Sequence, residues 1–185
     1  MDEPIRKRRR VYDEPGHAHY LTFSCRHRLP LLGKDRTRRW FLEAVETARQ
    51  RHAFDVYAYV IMPEHAHLLV RGRTGHDGLS RFLYDLKRPV AWKAKTWLRT
   101  GGRTAWLDRL TSTRGRRNVF HFWQPGGGFD RNMTDRADLP EVMAYIHANP
   151  VRRGLAESPT DWIWSSARFW EGLDGVLISM DSLPE

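Results

Sequence analysis

Residues 54–71 read FDVYAYVIMPEHAHLLVR, and this stretch decides the fold. It contains two apolar runs, 54–62 and 65–71, whose β-branched and aromatic residues are typical of strands. Pro63 and Glu64 separate the two runs. A break this short predicts an antiparallel hairpin, so the rest of the chain must supply the other strands and the helices that cover the sheet.

The second run of the hairpin carries a His-x-His pair. Alternate residues of a strand share a face, so His65 and His67 point the same way while Ala66 and Leu68 face the core. Residues two apart along a strand are separated by about 6–7 Å, and two imidazole nitrogens can converge from there on one divalent ion. Two ligands leave coordination positions open, as a Lewis-acid catalyst requires. The alternative is a pair of surface histidines at a strand edge.

Strand and helix patterns alternate on either side of the hairpin. They predict a strand at 19–25, a helix at 35–52, a helix at 78–99, a strand at 119–124 and a helix at 138–148. Pro89 is expected to kink the second helix or end its first half, and Asn149-Pro150 to stop the last one. The Arg-rich residues 100–118 are predicted to form a mobile basic loop. The order β-α-β-β-α-β followed by helices predicts an α+β, ferredoxin-like fold, with helices on one face of an antiparallel sheet.

One domain accounts for most of the chain, since 185 residues are enough for one globular core. We expect a basic N-terminal arm at 1–16, the domain at 17–171 and a weakly specified C-terminal tail at 172–185. The arm is suited to following a phosphate backbone, although such a charge run also occurs in solvated tails.

The charge of the chain indicates its partner class. There are 31 Lys and Arg against 22 Asp and Glu, a formal net charge of +9, and most of the cations are Arg. A basic surface attracts polyanions and Arg grips phosphate in a bidentate way, so nucleic acid is the leading partner, with solubility alone as the alternative. No apolar run approaches the roughly 20 residues that span a bilayer, so no membrane partner is expected. A single cysteine, Cys25, excludes an intramolecular disulfide and suits a reducing cytoplasm.

The helix predicted at 138–148 brings a possible nucleophile close to a possible metal ligand. Tyr145 and Asn149 are four residues apart and therefore share one side of a helix. A phenol has a pKa near 10, so a nucleophilic tyrosine needs activation at neutral pH. The alternative is that Tyr145 packs the helix against the sheet and Asn149 caps its end.

Four segments resemble one protein family. Residues 62–70 resemble the His-hydrophobe-His signature of the single-tyrosine HUH transposases, and residues 145–155 resemble the tyrosine motif of their REP-associated branch. Further similarity covers 122–131 and 161–167, in the same order along the chain. The sequence is therefore identified as resembling the REP-associated tyrosine transposases.

This resemblance implies a ferredoxin-like HUH domain that cleaves and rejoins single-stranded, hairpin-containing DNA. It implies a Mg²⁺ or Mn²⁺ ion held by His65, His67 and Asn149, and attack on a DNA phosphate by Tyr145. The products are a 5′-phosphotyrosine and a free 3′-OH, and reversal rejoins strands without ATP or another small-molecule cofactor. The family includes monomers and homodimers. The resemblance implies a bacterial cytoplasmic protein that is associated with the nucleoid when DNA-bound.

Cations in the arm and beside the motifs are the candidate DNA contacts. They are Arg8, Arg9, Arg10, Lys87, Arg88, Arg131, Arg152 and Arg153. Any one of them is alternatively ordinary surface charge. Trp123 is a candidate for stacking on an unpaired base or for the core, and Glu64 is expected to stay outside the ligand set, as a turn residue or a support for a ligand. The segment 125–128, PGGG, is less bulky than in relatives, and 100–118 is longer than a minimal member needs.

Two other functional classes stay open at the level of sequence. One is a domesticated relative that binds hairpin DNA without cutting it, although such a protein has no need for His65, His67, Tyr145 and Asn149 together. The other is an RNA-binding protein with a ferredoxin-like sheet, which predicts exposed aromatic residues on the central strands.

Overall fold

The computed structural model describes residues 16–76, 78–126 and 128–184. Residues 1–15, which include the candidate DNA contacts Arg8, Arg9 and Arg10, lie outside the described residues. In chain order the elements are β1 (Ala18–Ser24), α1 (Asp35–His52), β2 (Phe54–Ile61), β3 (His65–Gly72), α2 (Leu79–Thr100), α3 (Thr104–Leu110), β4 (Thr111–Arg114), β5 (Arg117–Phe120), β6 (Phe129–Met133), α4 (Leu139–Arg152) and α5 (Ala167–Trp170).

The predicted hairpin lies in the middle of a four-stranded antiparallel sheet with the order β2-β3-β1-β6. Strand β3 pairs with β2 on one side and with β1 on the other. In this register His67 lies opposite Val60 of β2 and opposite Thr22 of β1. Because β3 is an inner strand, both of its histidines lie within the sheet and not at its edge, which excludes the strand-edge alternative.

Two buried clusters of side chains lie on opposite faces of the sheet. Ala66, Leu68 and Val70 of β3 join the cluster that holds α1 and α2, whereas Leu69 joins the cluster that holds Ile146 of α4. The α+β class with an antiparallel sheet is confirmed, and α1 and α2 cover one face as predicted. Helix α4 packs on the other face, which is the face of the histidines, so the sheet is covered on both sides.

The prediction of a mobile loop at 100–118 is wrong. Most of this segment forms α3 and the two strands β4 and β5, which pair in a separate hairpin. Gly115, with φ +59°, supplies the left-handed residue that a tight turn requires. The density of Arg obscured the β-branched Thr111 and Thr113, which favour a strand.

The fourth strand of the main sheet is also not the one predicted. Strand β5 ends at Phe120, while Phe122 and Trp123 are buried in the core and contribute only an isolated bridge from Trp123 to Cys25. The edge position beside β1 belongs to β6. The apolar run at 119–124 was predicted to be a strand because core aromatics and strand aromatics are alike in sequence.

Helix α4 continues through Asn149-Pro150 to Arg152, so the predicted stop is wrong. Pro150 has no N–H to donate to the carbonyl four residues earlier, that of Ile146. The Asn149 side chain compensates, since its Nδ2 donates to the carbonyl oxygens of Ile146 (3.3 Å) and Tyr145 (2.9 Å). Helix α2 continues through Pro89, so this proline does not end the helix.

The C-terminal tail is held to the sheet more closely than its sequence indicates. The backbone N–H of Asp181 donates to the carbonyl of Val56, and the Asp181 carboxylate accepts from the N–H of Val56. Met180 beside it is buried in the core.

No helix in the described ranges has the length and apolar character needed to cross a membrane.

We expect Gly128→Ala to lower the free energy of unfolding by more than Gly126→Ala does. Both glycines have positive φ, +73° and +106°, where an alanine costs roughly 1 kcal/mol or more. Only at Gly128 would a Cβ also overlap a backbone atom, the carbonyl oxygen of Thr22, and overpacking of this kind costs about 1–3 kcal/mol. Urea denaturation of both variants measures the difference, and equal losses would contradict the close approach of this segment to β1.

Candidate active site

The two histidines of β3 face each other through their Nε2 atoms. These atoms are 3.1 Å apart, and the rings are nearly perpendicular, with centroids 4.8 Å apart. Both side chains are buried, at 7 % and 5 % exposure for His65 and His67. Two nitrogens converging on one point is the arrangement that a shared cation or proton requires.

The Nδ1 atom of each imidazole is held by a different partner. Nδ1 of His67 lies 2.7 Å from the hydroxyl of Thr22 and 3.0 Å from the hydroxyl of Tyr20, both on β1. Nδ1 of His65 lies 3.2 Å from a carboxylate oxygen of Glu64. A hydroxyl or carboxylate acceptor at Nδ1 favours the tautomer whose Nε2 lone pair is free to bind a metal.

Burial favours the neutral form of both imidazoles. It lowers the pKa of His67 to about 3, with His65 adding to the decrease and the hydrogen-bonded side chain of Asn149 opposing it. Burial also lowers the pKa of His65, although the Glu64 carboxylate opposes the decrease. A neutral imidazole is the form that binds a metal ion.

Asn149 supplies the third polar group at this point. It is buried on α4, and its Nδ2 is committed to the helix backbone, which leaves Oδ1 as the atom available to a ligand. Its side chain acts to raise the pKa of His67, which places it beside that imidazole. Among the described residues no three His, Cys, Asp or Glu side chains form a metal-binding group, so a third donor beside the two imidazoles would have to be of another kind, such as the amide oxygen of Asn149. Two neutral nitrogens and one oxygen fit a divalent cation with open positions.

Tyr145 lies at the exposed side of the same cluster. Its side chain is 44 % exposed, and its ring lies edge-on to the rings of Tyr20 (6.1 Å between centroids) and His67 (6.3 Å). The guanidinium of Arg152 lies 4.8 Å from the centre of the Tyr145 ring. The structure thus brings His65, His67, Tyr145 and Asn149 together, with the phenol accessible from solvent, and the alternative of a tyrosine buried in helix packing is excluded.

Tyr20 is a site residue that the sequence analysis missed. Burial raises the pKa of Tyr20, and the neighbouring Tyr145 adds to the increase. Its hydroxyl contacts His67, and its ring lies edge-on to the ring of Tyr145, so Tyr20 lies between the two residues. The alternation of β1 puts Tyr20 and Thr22 on one face, but only the pairing of β1 with β3 shows that this is the face of the histidines.

Glu64, like Tyr20, contributes to the site through contacts with residues that are distant in sequence. Besides His65, its carboxylate accepts from the guanidinium of Arg153 at 2.9 Å, and Arg28 lies 3.8 Å away. Burial acts to raise the pKa of Glu64, but His65 and Arg153 outweigh it and hold the pKa below its usual value. Glu64 was expected to support a ligand. Its carboxylate contacts His65 and also forms an ion pair with Arg153, which connects the β2–β3 turn to the end of α4.

The candidate DNA contacts separate into two groups. Arg131, Arg152 and Arg153 lie on the α4 side of the sheet, where Arg131 of β6 is 3.6 Å from Asp138. Lys87 and Arg88 belong to α2 and lie on the opposite side. Trp123 is buried beside Phe23 and Phe41, so it belongs to the core and not to a base-stacking surface.

Two curated proteins are similar to this chain in sequence, while no family model matches it. A Haemophilus influenzae protein described as a REP-associated tyrosine transposase is 26 % identical over 126 residues, which are 68 % of this chain and 66 % of that protein. The REP-associated tyrosine transposase of Escherichia coli is 23 % identical over 123 residues, 66 % of this chain and 60 % of that protein. The chain thus spans just under two thirds of the length of these relatives.

A solved structure has the same fold over nearly the whole chain. It is that of a REP-associated tyrosine transposase bound to a REP hairpin, with a TM-score of 0.67, 22 % identity and 97 % coverage of both chains. In sequence the chain is similar to two REP-associated tyrosine transposases, and its fold is that of a solved REP-associated tyrosine transposase.

Proposed function

We propose that this protein cleaves and rejoins single-stranded, hairpin-containing DNA, with Tyr145 as the nucleophile. The observation that carries the proposal is an accessible phenol beside two buried imidazoles whose Nε2 atoms face each other. A tyrosine in that position can attack a phosphate held at the two histidines. The hairpin is proposed as the substrate because the protein of the same fold is bound to a REP hairpin.

The proposal includes a divalent cation, Mg²⁺ or Mn²⁺, held by His65, His67 and Oδ1 of Asn149. When bound, such an ion supplies Lewis-acid polarisation of a phosphate. The hydroxyls of Thr22 and Tyr20 contact Nδ1 of His67, and the carboxylate of Glu64 contacts Nδ1 of His65. These contacts orient the two imidazoles. This support is of the kind that fixes the orientation of histidine ligands in known metal sites.

In the proposed reaction, the phenol oxygen of Tyr145 forms a bond to phosphorus while the bond to the 3′ oxygen breaks. The phenol proton is lost, the 3′ oxygen gains a proton, and the strand is left as a 5′-phosphotyrosine and a free 3′-OH. Tyr20 donates a hydrogen bond to the Tyr145 oxygen as negative charge develops there, and the Arg152 cation above the ring favours the same charge. Attack by another 3′-OH reverses the step and rejoins strands.

We expect the protein to form a denaturation-resistant adduct with hairpin-containing single-stranded DNA in the presence of Mn²⁺ or Mg²⁺. Tyr145→Phe should abolish the adduct, because phenylalanine has no oxygen to attack phosphorus. Tyr57→Phe is the matched control, since it also removes one phenol oxygen but Tyr57 is buried in β2, away from the proposed nucleophile. Denaturing gel electrophoresis with labelled DNA is the measurement. An adduct that persists in Tyr145→Phe would disprove the assignment of the nucleophile.

We expect Tyr20→Phe to slow adduct formation about tenfold, in line with the loss of one hydrogen bond to a charge-bearing oxygen. The aromatic ring and its packing against His67 are kept, so hairpin binding should be unchanged. Single-turnover rates and binding affinities, measured on the same hairpin, separate the two effects. An unchanged rate would show that Tyr20 only fills space beside Tyr145.

The second candidate is a protein that binds hairpin DNA without strand transfer. It is favoured only by the basic surface, which serves binding as well as catalysis. Hairpin binding without an adduct, whatever metal ion is supplied, is the result that this candidate predicts.

A further inference from the structure

The outward side of α2 carries a row of six exposed residues, each either cationic or aromatic. They are Arg81, Tyr84, Arg88, Trp92, Lys95 and Arg99, here called the α2 stripe. Successive members are three or four residues apart and therefore lie along one side of the helix. At 1.5 Å per residue the stripe is about 27 Å long.

The two aromatic members are unusually open to solvent. Trp92 is 65 % and Tyr84 57 % exposed, the highest values among the large apolar side chains of the described residues. Arg88 follows Tyr84 by one helical turn and precedes Trp92 by another, and its guanidinium lies 5.5 Å from the centre of the Tyr84 ring. Shallow hollows of about 460 and 370 Å³ flank these residues, and both include Arg88. An exposed aromatic surface of this kind is typical of a binding site.

The stripe is separate from the candidate active site but can be reached from it. Helix α2 packs on the face of the sheet opposite Tyr145. The hollow beside Tyr84 extends to Gly126, which precedes the edge strand β6. Phe129, the first residue of β6, is 53 % exposed and lies edge-on to Tyr20 in the active site, 5.7 Å between centroids. Exposed aromatic residues therefore lie on both sides of the β6 edge, Tyr84 on the α2 side and Phe129 beside the active site.

We propose that the α2 stripe binds an unpaired polynucleotide strand. The alternation suits that ligand, because aromatic rings stack on unpaired bases and cations neutralise the phosphates between them. The inference rests on the proposed function only in that the bound strand is the one that continues from the Tyr145 site. A second copy of the chain fits less well, because two such stripes would bring like charges together. The nearby acidic residue, Asp85, is already paired with Arg51 at 2.9 Å and His52 at 3.0 Å.

Binding of oligodeoxythymidine to the full chain tests the proposal, since this probe forms no hairpin and needs no cleavage. Probes of about 16 nucleotides cover the upper range of such sites. The double variant Tyr84→Ala, Trp92→Ala should bind at least about tenfold more weakly, given the usual loss per stacked base. The matched control is Trp106→Ala, because Trp106 is an exposed tryptophan next to Arg109 but lies on α3. It should bind as the unsubstituted chain does.

A charge variant gives an independent readout. Arg88→Gln should reduce the slope of log affinity against log salt concentration by about 0.7, the value for one phosphate contact on a single strand. A loss of affinity equal to that of the Trp106→Ala control, or an unchanged salt slope, would overturn the proposal. So would conversion of a dimer to a monomer by the double variant in sedimentation experiments, because the stripe would then be an interface between copies.

The stripe and the proposed catalytic function can fail separately. Adduct formation on a hairpin whose single-stranded extension is too short to reach the stripe should be unaffected by the stripe variants. If the unsubstituted chain forms no adduct yet loses oligodeoxythymidine binding in the double variant, the catalytic proposal fails and the stripe stands. If the adduct forms but the double variant binds normally, the stripe is wrong and the catalytic proposal stands.

Discussion

The pairing of β1 with β3 is the interaction on which the site depends. It sets Thr22 opposite His67 and Ser24 opposite His65, and it directs the Tyr20 hydroxyl to His67. A shift of register by one residue would turn the side chains of β1 to the opposite face of the sheet. The register is fixed by burial, because Leu21 and Phe23 must enter the core on the α1 and α2 side.

The site also depends on helix α4, which packs on the face of the sheet that carries the histidines. This helix tolerates a proline in its last turn. The Asn149 amide replaces the hydrogen bond that Pro150 cannot make, and the same contact fixes the direction of Oδ1. At the end of the helix Arg153 is tied to Glu64, which also holds His65. The helix end and the imidazole are therefore positioned by one carboxylate, so local structure and site geometry depend on each other.

The two faces of the sheet have different chemical characters. The α4 face gathers buried, neutral groups at one point, with one accessible phenol beside them. The α2 face is closed by an apolar core and presents its polar and aromatic groups outward along a helix. A sheet covered on both sides can in this way keep a rigid site on one face while a broader, charged surface lies on the other.

The sequence by itself determined the features that depend on local periodicity. Strand alternation placed His65 and His67 on one face, helical spacing placed Tyr145 and Asn149 together, and the short break at Pro63 predicted the hairpin. Each of these relations joins residues a few positions apart, for which the backbone geometry of a helix or strand is sufficient.

Only the tertiary structure decided which distant residues meet. The partnership of Tyr20 with His67 spans 47 positions and that of Arg153 with Glu64 spans 89. The edge strand β6 and the β4–β5 hairpin were missed for the same reason, since a strand is defined by its partner as much as by its own residues. Periodicity fixes the side of an element on which a residue lies, whereas burial and strand pairing across the whole chain determine what that side faces.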